Sequence, residues 1–109
     1  MSDYHEHADL SLLPELRKLD PAGFEGFVAL DRTVERTDGA IPPKYRELIA
    51  IGVALTTQCP YCLDVHTANA KNAGATREEL AETVHIAAAL RAGAAETHGL
   101  LALKLYDRE

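Results

Sequence analysis

The sequence predicts an all-α fold, a small helical bundle completed by association with further copies of itself. Three observations predict it. Alanine supplies 18 of the 109 residues, and it is the strongest helix former. β-Branched residues never alternate with polar ones over the length of a strand. The stretch "LIAIGVAL", residues 48 to 55, is apolar on every side, and a helix of that kind is buried rather than laid on a surface. A chain of 109 residues is one small domain. An all-apolar helix in so short a chain implies that a homo-oligomer completes the core.

The elements follow in order. Residues 1 to 8 read as a flexible tail carrying His5 and His7, and residues 9 to 109 as a single helical domain. Asp9 is expected to cap a first helix through Leu19, with Pro14 in its first turns or breaking it. Asp20-Pro21 pairs a cap with a proline at the first helical position and starts a second helix, to about Thr37. "TDGAIPP", residues 37 to 43, is a loop. A third helix runs from about Pro43 to Thr57 and is broken at Gln58-Cys59-Pro60. A fourth starts there with Cys59 near the cap and stops at Asn72-Ala73-Gly74. Thr76 and Glu79 form a capping box for a fifth helix. That helix loosens near Gly93, and a last one, continuous with it or not, carries Leu100, Leu101, Leu103 and Leu105.

Composition narrows the function. The formal net charge is -6, which argues against nucleic acid and against an anionic membrane surface as partners. No apolar run approaches the roughly 20 residues that span a bilayer. The start, "MSDYHEHADL", is acidic and polar, unlike a secretory signal, so the cytoplasm is the expected compartment. There, a lone cysteine pair points to redox chemistry or metal binding rather than to a structural bridge.

The two cysteines, Cys59 and Cys62, lie in "TTQCPYCLDVH" with His66 four residues after the second. Each helical residue turns about 100° and rises about 1.5 Å. Cys62 and His66 therefore share a face one turn apart, and Cys59 is within reach of Cys62. The helix N-terminus and a nearby imidazole both favour a thiolate. The dipole acts on both sulfurs, but the histidine spacing favours Cys62, so Cys62 is expected to attack and Cys59 to resolve. Glu47 sits just before the apolar run, where a carboxylate needs a partner, unless it lies on an exposed first turn. In one unbroken helix it would be about 28 Å from His66. A fold-back at residues 58 to 60 brings it level with about residue 70, and a chain Glu47–His66–Cys62, direct or through a water, becomes feasible.

The spacing Glu47-x11-Cys59-x2-Cys62-x3-His66 resembles the AhpD-like alkylhydroperoxidases of the carboxymuconolactone decarboxylase family. The resemblance covers about residues 20 to 106 and is densest over "YRELIAIGVALTTQCPYCLDVHTANAKNAGAT". It implies an AhpD-like helical bundle, assembled as a homo-trimer or homo-hexamer. It also implies a thiol-dependent hydroperoxide reductase with a hydroperoxide substrate, a dithiol reductant or redox partner protein, and no bound cofactor. Cys62 would match the peroxidatic cysteine and Cys59 the resolving one, with His66 and Glu47 in a proton relay. The best-known members carry a histidine next to the second cysteine. Tyr61 stands there in this chain and completes the candidate catalytic set. A tyrosine donates a hydrogen bond, but its pKa near 10 makes it a poor shuttle at neutral pH.

Tyr61 is what supports the alternative function, a disulfide reductase or redox adaptor without peroxidase activity. Two further alternatives carry less. A carboxymuconolactone-type decarboxylase has no use for a dithiol. A metal-binding helical module would need a fourth ligand beside Cys59, Cys62 and His66; His85 or His98 would have to supply it, and both read better as core or interface residues.

Overall fold

A computed structural model describes residues 4–109. The domain assignment extends over residues 1–3, which lie outside the described residues. Among those described there are five α-helices and no strand: α1 (Leu13–Leu19), α2 (Pro21–Asp31), α3 (Pro43–Thr57), α4 (Pro60–Asn72) and α5 (Arg77–Tyr106). Single 3-10 segments precede α1 (His7–Leu12) and follow α2 (Arg32–Glu35).

The local signals explain most of these boundaries. Asp20 accepts a hydrogen bond from the Gly23 amide at 3.1 Å and caps α2, with Pro21 at its first position. Thr76 accepts from the Glu79 amide while Glu79 accepts from the Thr76 amide, a reciprocal capping box that starts α5. Gly74 adopts φ 94°, the left-handed conformation that glycine enters without a Cβ penalty, and turns the chain from α4 to α5.

Three details differ from the sequence expectation. Asp9 is not the cap of the first helix. Residues 7 to 12 wind as a 3-10 segment before α1 begins, with Pro14 ahead; Glu6 sits at the N-cap of that segment, and Asp9 answers it from the third position by accepting the Glu6 amide at 2.9 Å. The second helix stops at Asp31 rather than near Thr37, and the chain tightens into a 3-10 turn. The fifth helix does not loosen at Gly93. It runs unbroken for 30 residues, about 45 Å, because one glycine weakens a helix by only about 1 kcal/mol.

α3 and α4 pack against each other, and α5 packs on α3. Gln58 makes the first packing possible. It sits at φ 56° and ψ 50°, and its amide and that of Cys59 both bond back to the Ala54 carbonyl, closing α3 and reversing the chain. The Arg91 guanidinium donates to the Thr56 carbonyl at 2.6 Å, so α5 satisfies an end group of α3. Lys44 on α3 pairs with Glu79 of α5 at 2.9 Å.

The buried core of the single chain is small: Ile51, Ala54 and Ala70, together with Glu47. Leu90, Leu100 and Leu103 on α5, and Ile49 and Val53 on α3, are more than half exposed. The radius of gyration is 18.0 Å, against about 13 Å for a compact chain of this length. No helix among the described residues is long and apolar enough to cross a membrane.

Candidate active site

The reversal at Gln58 lays α4 against α3 and decides what Glu47 touches. Glu47 is on the buried side of α3, with 5% of its surface exposed. Its Oε2 lies 2.6 Å from His66 Nδ1 on α4. The acid expected to be expensive without a partner therefore has one, held directly. A carboxylate on Nδ1 fixes the imidazole so that the Nδ1 proton is donated to Glu47, leaving Nε2 for other chemistry.

Cys59 is the N-cap of α4, in extended conformation, and its Sγ accepts the Cys62 amide at 3.3 Å. The two sulfurs are 2.6 Å apart with both thiols free. Pro60 occupies the first helical position, where its missing N–H costs nothing. Cys62 and His66 both line a cavity of about 420 Å³, together with apolar side chains of α3 and the segment after α2. Its volume falls within the range of small-molecule sites.

The electrostatics of the pair differ from the sequence expectation. The depressed thiol is Cys59: Cys62 donates its thiol to it, and the Cys62 amide adds a second bond. Cys62 is pushed up to about 11, first by burial, then by its bond to Cys59 and the charges of Cys59 and Asp31. The helix dipole acts on both sulfurs, but only the one at the cap receives the amide. Burial and the approach of Asp31 are tertiary facts that helical spacing does not contain.

Tyr61 faces elsewhere. Its hydroxyl donates to Asp9 Oδ2 at 2.8 Å, and it lines a separate cavity with Tyr4 and leucines of the N-terminal segment. The Asp9 bond raises the tyrosine's pKa above its ordinary value. Asp9 is lowered, by the Glu6 amide first and by Tyr61 second. His7 Nδ1 lies 2.6 Å from Asp64 Oδ2, so the segment before α1 is held to α4 at two points. His5 stacks edge-on to Tyr61 with ring centroids 6.4 Å apart. His85 donates to the Ala81 carbonyl of its own helix at 3.0 Å. His98 lies on α5. No group of three or more His, Cys, Asp or Glu side chains among the described residues is arranged to hold a metal ion.

Sequence reasoning missed Arg46 and Asp31. Arg46 lines the Cys62–His66 cavity, one position before Glu47. The only local signal was a cation in the first turn of a helix, where the dipole disfavours it. Asp31, at the end of α2, had no signal at all.

The family model described as carboxymuconolactone decarboxylase family matches residues 21–105. A protein called uncharacterized protein 4 in cox locus, from Paracoccus denitrificans, is 42% identical over 83 residues, 76% of this chain and 74% of that protein. An uncharacterized protein of Haemophilus influenzae is 37% identical over 108 residues, 97% of this chain and 95% of its own length. Among solved structures, an apo carboxymuconolactone decarboxylase family protein from Legionella pneumophila is similar, with a TM-score of 0.66 and 37% identity, covering 74% of this chain and 71% of that one. A family model over most of the chain and a shared helical fold at that identity lead to one conclusion: this chain is an AhpD-like member of the carboxymuconolactone decarboxylase family.

Proposed function

We propose that this protein is a thiol-dependent alkyl hydroperoxide reductase in which Cys62 attacks, Cys59 resolves, and His66 held by Glu47 handles the proton. The observation that carries the reading is the cavity itself: it exposes Cys62 beside His66, whose other nitrogen is bonded to buried Glu47 at 2.6 Å. The active form of the pair carries one negative charge. It rests on Cys59 and moves to Cys62 when the Cys62 proton crosses the 2.6 Å between the sulfurs. The Cys62 thiolate attacks the terminal oxygen of R–O–OH. An S–O bond forms, the O–O bond breaks, and the departing alkoxide takes a proton from the His66 imidazolium, leaving as the alcohol. The Cys59 thiol then attacks the sulfenic sulfur. The disulfide forms, and hydroxide leaves with the thiol's proton as water. A dithiol donor reduces the disulfide and is itself oxidised.

The working unit of this reading is a homo-oligomer, a trimer or hexamer, which would cover the apolar side chains that α3 and α5 leave exposed.

Cys62→Ser tests the function. Peroxide consumption by the reduced protein should stop, while Cys59→Ser, which keeps the attacking sulfur but loses its proton acceptor, should make at most one sulfenic acid per chain, more slowly, and then stall. Unchanged consumption by Cys62→Ser would overturn the reading. Tyr61 faces Asp9 and not the cavity, so the alternative of a disulfide reductase rests on kinetics: sulfenic acid formation no faster than that of a free thiol would favour it.

A further inference from the structure

The cavity beside Cys62 has both polar and apolar lining. The thiol and His66 share it with the apolar side chains of Val34, Ile49, Val53 and Ala54. Arg46 stands in the same wall. Its Nε donates to the Ile41 carbonyl at 2.8 Å and its Nη1 to the Thr33 carbonyl at 3.1 Å. Two of five donors are thereby used, and the guanidinium is fixed in place rather than free to swing. Gly39 is what makes room for it. A methyl group on Gly39 would overlap Arg46 Nη2 and would also come to 2.9 Å from Arg36 Nε. Two guanidinium groups thus converge on one point above a glycine. Neither takes part in an ion pair among the described residues.

Two like charges held together without a counter-ion are costly unless something negative joins them. The local field adds to the attraction. The first turn of α3 contains no acidic residue, so the positive end of the helix dipole is uncompensated there. A molecule with one anionic end and one neutral, reducible end would be held by its anionic end on the two guanidinium groups.

We propose that Arg46 and Arg36, gathered over Gly39, form an anion site for the carboxylate of a fatty-acid-like molecule whose alkyl chain lies along the apolar wall toward Cys62. The chemistry rests on the peroxidase reading: the substrate class is then a carboxylate-bearing alkyl hydroperoxide, its peroxide group at the thiol and its carboxylate on the arginines. A planar guanidinium takes a carboxylate through two parallel hydrogen bonds. Arg46 is the fixed member and Arg36 the outer, exposed one.

The test separates binding from turnover. Calorimetric titration of the full-length chain with decanoate and with methyl decanoate reads the anion site without any peroxide. The acid should bind about tenfold tighter or better, and Arg36→Gln and Arg46→Gln should bring the two toward parity. Arg46 also holds the loop from Thr33 to Ile41, so Arg36→Gln, an exposed change, is the decisive variant; circular dichroism checks that both remain helical. Turnover of a medium-chain hydroperoxy acid and its methyl ester should show the same preference as a kcat/KM ratio, and the same loss. Equal binding of acid and ester, or a preference that survives Arg36→Gln, overturns the anion site. Turnover of both hydroperoxides at equal kcat/KM would overturn it too while leaving the peroxidase reading intact. Preferred binding of decanoate with no turnover of either hydroperoxide would support the anion site and remove the peroxidase reading instead.

Discussion

His66 Nδ1 and Glu47 Oε2 lie 2.6 Å apart, on two helices whose contact is made possible by one left-handed residue, Gln58. The pair is largely withdrawn from water, with 15% of the histidine side chain and 6% of the glutamate side chain exposed. An acceptor in such a place fixes the orientation of the ring and which of its nitrogens carries the proton.

Glu47→Gln keeps an acceptor for the Nδ1 proton and removes the charge. Peroxide turnover should fall by about a hundredfold, the lower part of what acid–base catalysis contributes, with helicity unchanged. Glu47→Ala should lose the same activity and also stability, about 1–3 kcal/mol for a buried donor left without its partner. Steady-state kinetics with thermal unfolding of both variants checks this. Equal stability losses for Gln and Ala would mean that the carboxylate charge, and not the acceptor, supports the fold.

The cysteine pair should titrate in two well-separated steps. Cys59 is held below its ordinary value chiefly by the Cys62 thiol, and Cys62 is pushed up to about 11. A lowered pKa means more thiolate at a given pH, so alkylation of Cys59 should persist to lower pH than for a free thiol, which ionises near about 8.5. Cys62→Ala removes the largest cause of that lowering, and the alkylation curve should move upward in pH. Mass spectrometry of iodoacetamide-labelled protein across pH measures both. A curve that moves downward in Cys62→Ala would reverse the assignment of the charge.

These two predictions divide along the line between what the sequence carried and what it did not. Pro43, Pro60, Thr76 with Glu79, and Asp20 with Pro21 act through their nearest neighbours, and the helices they start lie where the residues say. The proximity of Glu47 and His66 needed one further step, the fold-back at residues 58 to 60, and the break around Pro60 made that step legible. The charge asymmetry between Cys59 and Cys62 was out of reach, because it depends on burial and on Asp31 arriving from another helix. The same holds for Tyr61. Its place between the cysteines suggested a shared task, yet consecutive helical residues point about 100° apart, and its partner Asp9 is 52 positions away.

Tyr61→Phe removes the bond to Asp9 and should act on the N-terminal segment rather than on the thiols. Hydrogen exchange should speed up across residues 7 to 12, since the Tyr61–Asp9 bond is one of two side-chain ties, with His7–Asp64, between that segment and α4. The pH at which peroxide turnover reaches half its maximum should stay where it is. A shift in that midpoint would place the phenol in the proton path after all.

The last prediction concerns the apolar groove between α3 and α5. Tyr45, Ile49 and Val53 line it from α3, and Ile86 and Leu90 from α5, around a volume of about 430 Å³. Ile86 is 63% and Leu90 66% exposed, and four residues apart they lie on one face of the helix. Leaving such side chains in water forgoes about 1.5–3 kcal/mol each, and the single chain buries too little elsewhere to compensate. Sedimentation equilibrium should find the wild-type chain as a trimer or hexamer. Ile86→Glu with Leu90→Glu should shift it toward monomer, because a carboxylate cannot enter an apolar contact without a partner. The monomer should also unfold at lower temperature, its core reduced to the few residues that α3 and α4 bury between them. A wild-type chain that sediments as a monomer would remove the oligomer from the proposed working unit.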